Sequence, residues 1–191
     1  MSRQALIIVD VQHGFDDPSW GARNNPECEA NIAKLLDRWE LVGQPVVVVR
    51  HDSIEPQSPL RPDRPGNVLK DFLHDRGDVL ISKSVHSAFH GEPDLDGWLR
   101  AHEVNEVVIT GITTNHCCET TARMACDLGY QVCFVGDATA TFDRTSPSGE
   151  LISADRLVET TLTNLNEEFA EISDTYRLLQ RVHAPALTQP E

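Results

Sequence analysis

Five short apolar runs, each ending on polar residues or glycine, constrain this chain most. They are Ala5-Leu6-Ile7-Ile8-Val9 before Asp10, Pro45-Val46-Val47-Val48-Val49 before Arg50-His51-Asp52, and Asp78-Val79-Leu80-Ile81 before Ser82-Lys83. Glu106-Val107-Val108-Ile109-Thr110 before Gly111 and Gln131-Val132-Cys133-Phe134-Val135 before Gly136-Asp137 complete the set. Runs this continuous and this rich in β-branched residues suit strands buried on both faces, as in a parallel sheet. Helical patterns alternate with them. Asn25 offers a cap, Pro26 and the acids Glu27 and Glu29 suit a first turn, and Ile32, Leu35, Leu36 and Trp39 share one face before Gly43. Leu95, Trp98, Leu99 and His102 repeat the spacing, as do Leu151, Ala154, Val158, Leu162 and Leu165. His116 to Leu128 reads as a helix with small residues, Ala122 and Ala125, for close packing on a sheet. The alternation predicts an α/β, three-layer, doubly wound (Rossmann-like) domain with helices on both faces of a parallel sheet. A sixth strand is expected near 169–172 and a last short helix near 174–181. Residues 1–182 are expected to form one domain and 183–191 a flexible C-terminal tail.

The length of 191 residues fits one domain with a full core. A formal net charge of −14 argues against a nucleic-acid partner, whose phosphates favour Lys and Arg. No stretch approaches the roughly 18 apolar residues of a membrane span, so no membrane partner is expected. Met1-Ser2-Arg3-Gln4 leads straight into a strand without an apolar signal region. The five cysteines, Cys28, Cys117, Cys118, Cys126 and Cys133, are odd in number and contain no CxxC pair. They read as reduced thiols rather than a disulfide framework or a zinc site, and a cytoplasmic location is expected.

In open parallel sheets, ligands bind beyond the carboxyl ends of the strands. Asp10, His51, Asp52, Lys83, Thr113, Thr114, Asn115 and Asp137 all fall there in the sequence reading. Taken singly, an Asp after a strand is commonly a turn residue, a Lys there a solvated end, and a Cys in an apolar helix core. Cys126 and Cys133 take the core reading, and Cys28 reads as packing. Cys117 differs because it falls in the first turn of a helix just after a strand. Unpaired N–H groups and the positive dipole end there favour a thiolate, and a nearby ammonium such as Lys83 lowers a thiol's pKa further. The same N–H groups can hold an oxyanion. The long Pro- and Arg-rich stretch 52–67 is the type of loop that often carries function.

Gly111-Ile112-Thr113-Thr114-Asn115-His116-Cys117-Cys118-Glu119-Thr120-Thr121-Ala122 resembles the nucleophile segment, G-[VI]-x-T-x-x-C-V-x-x-T-A, of the isochorismatase-like cysteine hydrolase superfamily. Asp10-Val11-Gln12 with Phe15 is similar to its D-x-Q-x-x-F motif, Lys83 with Ser87-Ala88-Phe89 to its K-x-x-x-S-A-F segment, and Gly136-Asp137-Ala138 to a further signature. The likeness runs from about residue 4 to 180 in the right order. It implies a six-stranded parallel sheet and a small-molecule amidohydrolase of the amidase branch. It also implies an Asp10–Lys83–Cys117 triad acting through a Cys117 thioester. A non-proline cis peptide is implied at Ile112–Thr113, with the N–H groups of Thr113 and Cys117 as the oxyanion hole. The resemblance further implies a homo-oligomer, a dimer or tetramer.

The nicotinamidase branch carries a metal motif, D-x-H-x-x-x-H, where this chain reads Arg50-His51-Asp52-Ser53-Ile54-Glu55-Pro56. No catalytic metal and no cofactor are therefore expected, and His51 and Asp52 are expected to organise their loop. Phe15, Trp20, Phe89 and His116 are the expected substrate-binding residues. Arg61 and Arg64 read as a solvated loop, and Cys118 as a buried small hydrophobe. Two other classes stay open from sequence: a catalytically silent small-molecule-binding module, and a thiol redox protein using Cys117 and Cys118. G-x-G-x-x-G and G-x-S-x-G are absent, which argues against nucleotide binding and serine hydrolysis. Linear amide, ureido compound and lactam all remain open as substrates.

Overall fold

The five apolar runs are neighbouring strands of one sheet, and the sixth lies where expected. The computed structural model describes residues 3–182; the expected tail at 183–191 lies outside the described residues. In chain order the elements are β1 (Gln4–Val9), α1 (Cys28–Leu41), β2 (Val46–His51), β3 (Val79–Lys83), α2 (Leu95–Ala101) and β4 (Glu106–Ile112). A π-helical turn (Thr114–Cys118) then leads into α3 (Glu119–Asp127), followed by β5 (Gln131–Ala140), the two-residue strands β6 (Arg144–Thr145) and β7 (Leu151–Ile152), α4 (Ala154–Leu165), β8 (Glu171–Ser173) and α5 (Thr175–Arg181). The six-stranded sheet has the order β3-β2-β1-β4-β5-β8, with every pair parallel. The antiparallel β6–β7 hairpin stands apart from it.

Alternation along the strands splits the core in two. Leu6 and Ile8 of β1, Val46 and Val48 of β2, and Cys133 and Val135 of β5 pack with Ile32, Leu35, Leu36 and Trp39 of α1 and Leu178 of α5. Their odd-even partners, Ala5, Ile7, Val9, Val47, Val49 and Phe134, pack with Leu95 and Leu99 of α2, Ala122 and Ala125 of α3, and Leu165 of α4. Helices thus cover both faces, which explains why the strands are apolar without alternating. Each fully buried Leu or Ile contributes about 1.5–3 kcal/mol. Trp39 also satisfies its indole N–H on the Gln4 carbonyl at 3.0 Å.

Two local expectations are corrected. Asn25 does not cap α1 with its side chain. Its backbone is left-handed (φ 46°), and its Nδ2 donates to the carbonyls of Asp137 and Thr139, tying the helix entry to β5. β5 also does not stop at Val135 but runs on to Ala140, so Asp137 lies within the strand. Its Oδ1 accepts from the backbone N–H and hydroxyl of Thr175 at the start of α5.

Strand order sets the position of the site. From β1 the chain winds outward through β2 and β3, then returns to the other side of β1 with β4, β5 and β8. The reversal opens a crevice at the carboxyl ends of β1 and β4, where such folds bind ligands. Gly111 permits the close approach there. It pairs with Val9 at φ 126°, and a Cβ would collide with the Val9 backbone. No helix among the described residues is long and apolar enough to cross a membrane.

Candidate active site

The ends of β1, β2, β3 and β4 bring Asp10, His51, Lys83 and Cys117 together. Asp10 leaves β1 in a left-handed conformation (φ 55°), with its N–H on the Val49 carbonyl at 2.9 Å. Lys83 is the last residue of β3, and its ammonium is fully enclosed. Nζ donates to Asp10 Oδ2 at 2.6 Å, to His51 Nδ1 at 3.2 Å and to Cys117 Sγ at 3.5 Å. An ammonium has three hydrogens, so each acceptor takes one. Accepting at Nδ1 leaves His51 its proton on Nε2.

The motif residues around the triad have structural work. Gln12 is buried and clamps His51 through its backbone, accepting from the His51 N–H at 2.8 Å and donating to its carbonyl at 3.0 Å. Ser87 accepts from the Phe89 N–H, and the Ala88 N–H donates to Thr121 Oγ1 at 3.1 Å, which fastens the lysine segment to α3. Thr114 Oγ1 donates to Thr139 Oγ1, and Thr141 Oγ1 donates to Asn115 Oδ1, so β5 and the residue that follows it hold the π-helical turn. The Cys118 N–H closes that turn on the Thr113 carbonyl at 3.2 Å. The Ile112–Thr113 peptide is cis, and so is Glu92–Pro93, which the sequence reading did not anticipate.

The charge state differs from the sequence expectation. The helix start and Lys83 were expected to favour a thiolate at Cys117. Cys117 is instead buried beside both Asp10 and Lys83, whose opposite charges largely cancel. Burial, reinforced by the Asp10 carboxylate, therefore pushes the Cys117 thiol well up despite the pull of Lys83. Burial opposes the Lys83 ammonium too, but Asp10 and Cys117 outweigh it and raise its pKa above that of an ordinary lysine. Lys83 is thus held as the ammonium and Cys117 as the neutral thiol. Asp10 Oδ1 is buried with no hydrogen-bond partner among the described residues, and so is free to take the thiol proton. Burial and Lys83 lower the His51 pKa, which favours a neutral ring.

A cavity of about 90 Å³ opens onto these groups, lined by Asp10, Phe15, Trp20, His51, Leu60, His86, Thr113, His116, Cys117 and Arg144. Of the expected substrate-binding residues, Phe15, Trp20 and His116 line it. Phe15 and Trp20 form a wall with Phe142, with ring centroids 5.1–6.1 Å apart. Phe89 does not belong there: it stacks on Tyr130 at 6.0 Å, on the side of the sheet covered by α2 and α3. Asp52 turns away to pair with Arg50 and accept from Asn67, while Arg61 pairs with Asp63 and Arg64 is exposed. Cys118 is fully buried in the core, and all five cysteines are free thiols.

Sequence reasoning missed Leu60, His86 and Arg144. Leu60 enters because the long loop folds around buried Asn67, whose Nδ2 donates to the carbonyls of Leu60 and His51. Only the burial of an apolar residue within a polar loop could have signalled it. Among the described residues, one group of three could hold a cation: Asp10, His51 and Cys117, with donor atoms within 4.8 Å of one another. Lys83 Nζ already sits on all three, and its positive charge opposes a metal ion there.

The isochorismatase domain model matches residues 4–175. The isochorismatase family protein YrdC of Bacillus subtilis is 39% identical over 178 residues, covering 93% of this chain and 95% of that one. Nicotinamidase 3 of Arabidopsis thaliana is 31% identical, over 91% of this chain and 86% of the relative. Among solved structures, an isochorismatase-family protein from Chromobacterium violaceum superposes with a TM-score of 0.88 at 38% identity, covering 94% and 93% of the two chains. A cysteine hydrolase from Pseudomonas syringae pv. phaseolicola superposes with a TM-score of 0.85 at 28% identity, covering 94% and 92%. The chain belongs to the isochorismatase family of hydrolases.

Proposed function

We propose that this protein hydrolyses a C–N bond in a small amide, ureido compound or lactam through a thioester on Cys117. The observation that carries the reading is one buried ammonium, Lys83 Nζ, held 2.6 Å from Asp10 Oδ2 and 3.5 Å from Cys117 Sγ, two residues that line a small cavity. The likeness to a nicotinamidase and to a cysteine hydrolase supports the same chemistry.

Asp10 Oδ1 accepts the thiol proton as Sγ attacks the carbonyl carbon, so a free thiolate need not accumulate. The N–H groups of Thr113 and Cys117 stabilise the oxyanion. Collapse breaks the C–N bond, and Asp10 returns its proton to the leaving nitrogen. Water, deprotonated by Asp10, then attacks the thioester and releases the acid and the thiol. Throughout, Lys83 balances whichever of Asp10 and Cys117 carries negative charge.

The test is a panel of small primary amides, ureido acids and lactams, read by ammonia release or product mass, for the wild type and Cys117→Ala. Turnover by the wild type with a loss of about 10³-fold or more in the variant is expected. Equal turnover by the two proteins refutes the scheme.

A further inference from the structure

Arg144 is a cation in the cavity with no carboxylate paired to it among the described residues. The chain carries 30 acidic and 16 basic residues, and most of its partly buried arginines meet a carboxylate. Arg23 meets Glu29, Arg50 meets Asp52, Arg76 meets Asp37 and Glu40, and Arg123 meets Glu119. Arg144 is half-buried, lines the cavity beside Cys117, and makes no ion pair with a described residue. Its Nε is buried with no hydrogen-bond partner among the described residues. One Nη2 hydrogen points to His116 Nδ1, at a long 3.4 Å.

The acid next to it in sequence is committed elsewhere. Asp143, the preceding residue, uses Oδ1 to accept from the Ala154 N–H at the start of α4, and its own N–H donates to the Ala22 carbonyl. Both contacts, and the β6–β7 pairing of Arg144 with Ile152, fix the backbone from which the guanidinium projects. The other polar lining groups, besides the Cys117 thiol, are His51, His86, His116 and Thr113, whose buried Oγ1 has no partner among the described residues. The one carboxylate lining the cavity, Asp10, is already bound by Lys83.

We infer that Arg144 forms an anion subsite within the catalytic cavity, and that the substrate is a small carboxylate-bearing amide whose carboxylate binds this guanidinium while its carbonyl meets Cys117. The inference rests on the hydrolase reading for the second half of that statement only. A half-buried guanidinium whose Nε is buried has lost part of its hydration, which a ligand can replace. The open Nε–H and the remaining Nη hydrogens form a fork that suits a planar carboxylate. His116 supports the fork as an acceptor, a role that requires a neutral ring. Burial, together with Arg144 and His86 nearby, lowers its pKa to about 4, so the ring is neutral at physiological pH. The aromatic wall of Phe15 and Trp20 takes the short apolar spacer between the two ends. A cavity of about 90 Å³ restricts that spacer to a few atoms.

The experiment measures ligand binding separately from turnover. Cys117→Ala, as the full chain, is titrated with acetate, propionate and succinamate, with the matched neutral compounds acetamide, propionamide and succinamide, and with inorganic phosphate. Affinity is read by calorimetry and by the shift in melting temperature. At least one carboxylate is expected to bind roughly tenfold or more tightly than its neutral partner, the discrimination a charge-assisted hydrogen bond provides. Arg144→Met in the same background is expected to erase that preference, and Arg144→Lys to keep part of it. Equal binding of carboxylates and amides overturns the inference, as does a preference that survives Arg144→Met, or phosphate binding without carboxylate binding. If Arg144→Met fails to fold, the neutral-against-charged comparison in the parent and the weakening in Arg144→Lys decide the matter. Carboxylate binding without wild-type turnover leaves the subsite standing and removes the hydrolase reading. Turnover of neutral amides alone does the reverse.

Discussion

Replacing Lys83 with Met removes the counter-charge from a carboxylate that has no exposure and one unpartnered oxygen. Breaking a buried ion pair from one side costs about 3–5 kcal/mol, because the other charge stays behind unpaired. Removing both charges costs far less, since the penalty lies in the orphaned ion rather than in the lost bond. Asp10→Asn/Lys83→Met should therefore fall within about 1 kcal/mol of wild type, or above it. For a chain of this size a urea slope of about 2–3 kcal/mol per molar is expected. Lys83→Met should lower the urea midpoint by about 1–2 M, and adding Asp10→Asn should restore most of it. The assay is equilibrium urea denaturation of wild type, both single variants and the double variant at pH 7. It reports the resting ionisation of the site. If Asp10 were neutral and Cys117 a thiolate, Asp10→Asn would relieve nothing, while Cys117→Ala would rescue Lys83→Met. Equal midpoints for Lys83→Met and Asp10→Asn/Lys83→Met would refute the carboxylate–ammonium–thiol assignment.

The same assignment governs thiol reactivity. With Cys117 held protonated by burial and by Asp10, iodoacetamide at pH 7 should modify half-buried Cys126 ahead of it, and labelling of Cys117 should climb as pH rises above 9, as peptide mapping would show; rapid Cys117 labelling at pH 7 would count against it. Away from the site, burial works against the Glu29 carboxylate, but Arg23 and Lys70 prevail and hold its pKa down from 4.5 to about 2. A carboxylate depressed by folding stabilises the protein above its unfolded pKa, and that contribution fades as pH falls from 4.5 toward 2. With solvent screening of this partly exposed group, Glu29→Gln should cost about 1–2 kcal/mol at pH 7 and progressively less below pH 4.5 in urea melts, whereas a pH-independent loss would assign the effect to packing.

The fold was legible because it is written twice over, in strand composition and in helix spacing. A run such as Val46 to Val49 cannot be half-exposed, and Ile32, Leu35, Leu36 and Trp39 can share only one face. Boundaries were harder. β5 outran its apolar segment because Asp137 and Thr139 meet their hydrogen-bonding needs on Thr175 and Thr114. Polar residues so satisfied continue a strand that hydropathy ends. Asn25 deceived for a related reason: an Asn beside Pro is a common cap, but its amide found two carbonyls of β5 at a range of more than a hundred residues.

The proposed catalytic trio was legible for a reason that does not extend to the cavity wall. Asp10, Lys83 and Cys117 stand directly at strand ends or the first turn beyond one, so sheet topology alone brings them together. Arg144 and His86 reach the same cavity from a two-residue hairpin and an exposed turn, which no periodicity marks. Phe89 shows the converse: it belongs to the lysine motif, yet the turn Ser87 organises directs it onto Tyr130 instead. Motif membership therefore identifies what builds the site, while exposure of an unpaired group to the cavity identifies what the site selects. On that criterion Asp10 and Arg144 differ in kind. In the proposed scheme the unpartnered Asp10 Oδ1 takes a proton that the protein itself supplies, from Cys117. Arg144 Nε has no partner among the described residues, and the proposed subsite assigns that place to a ligand.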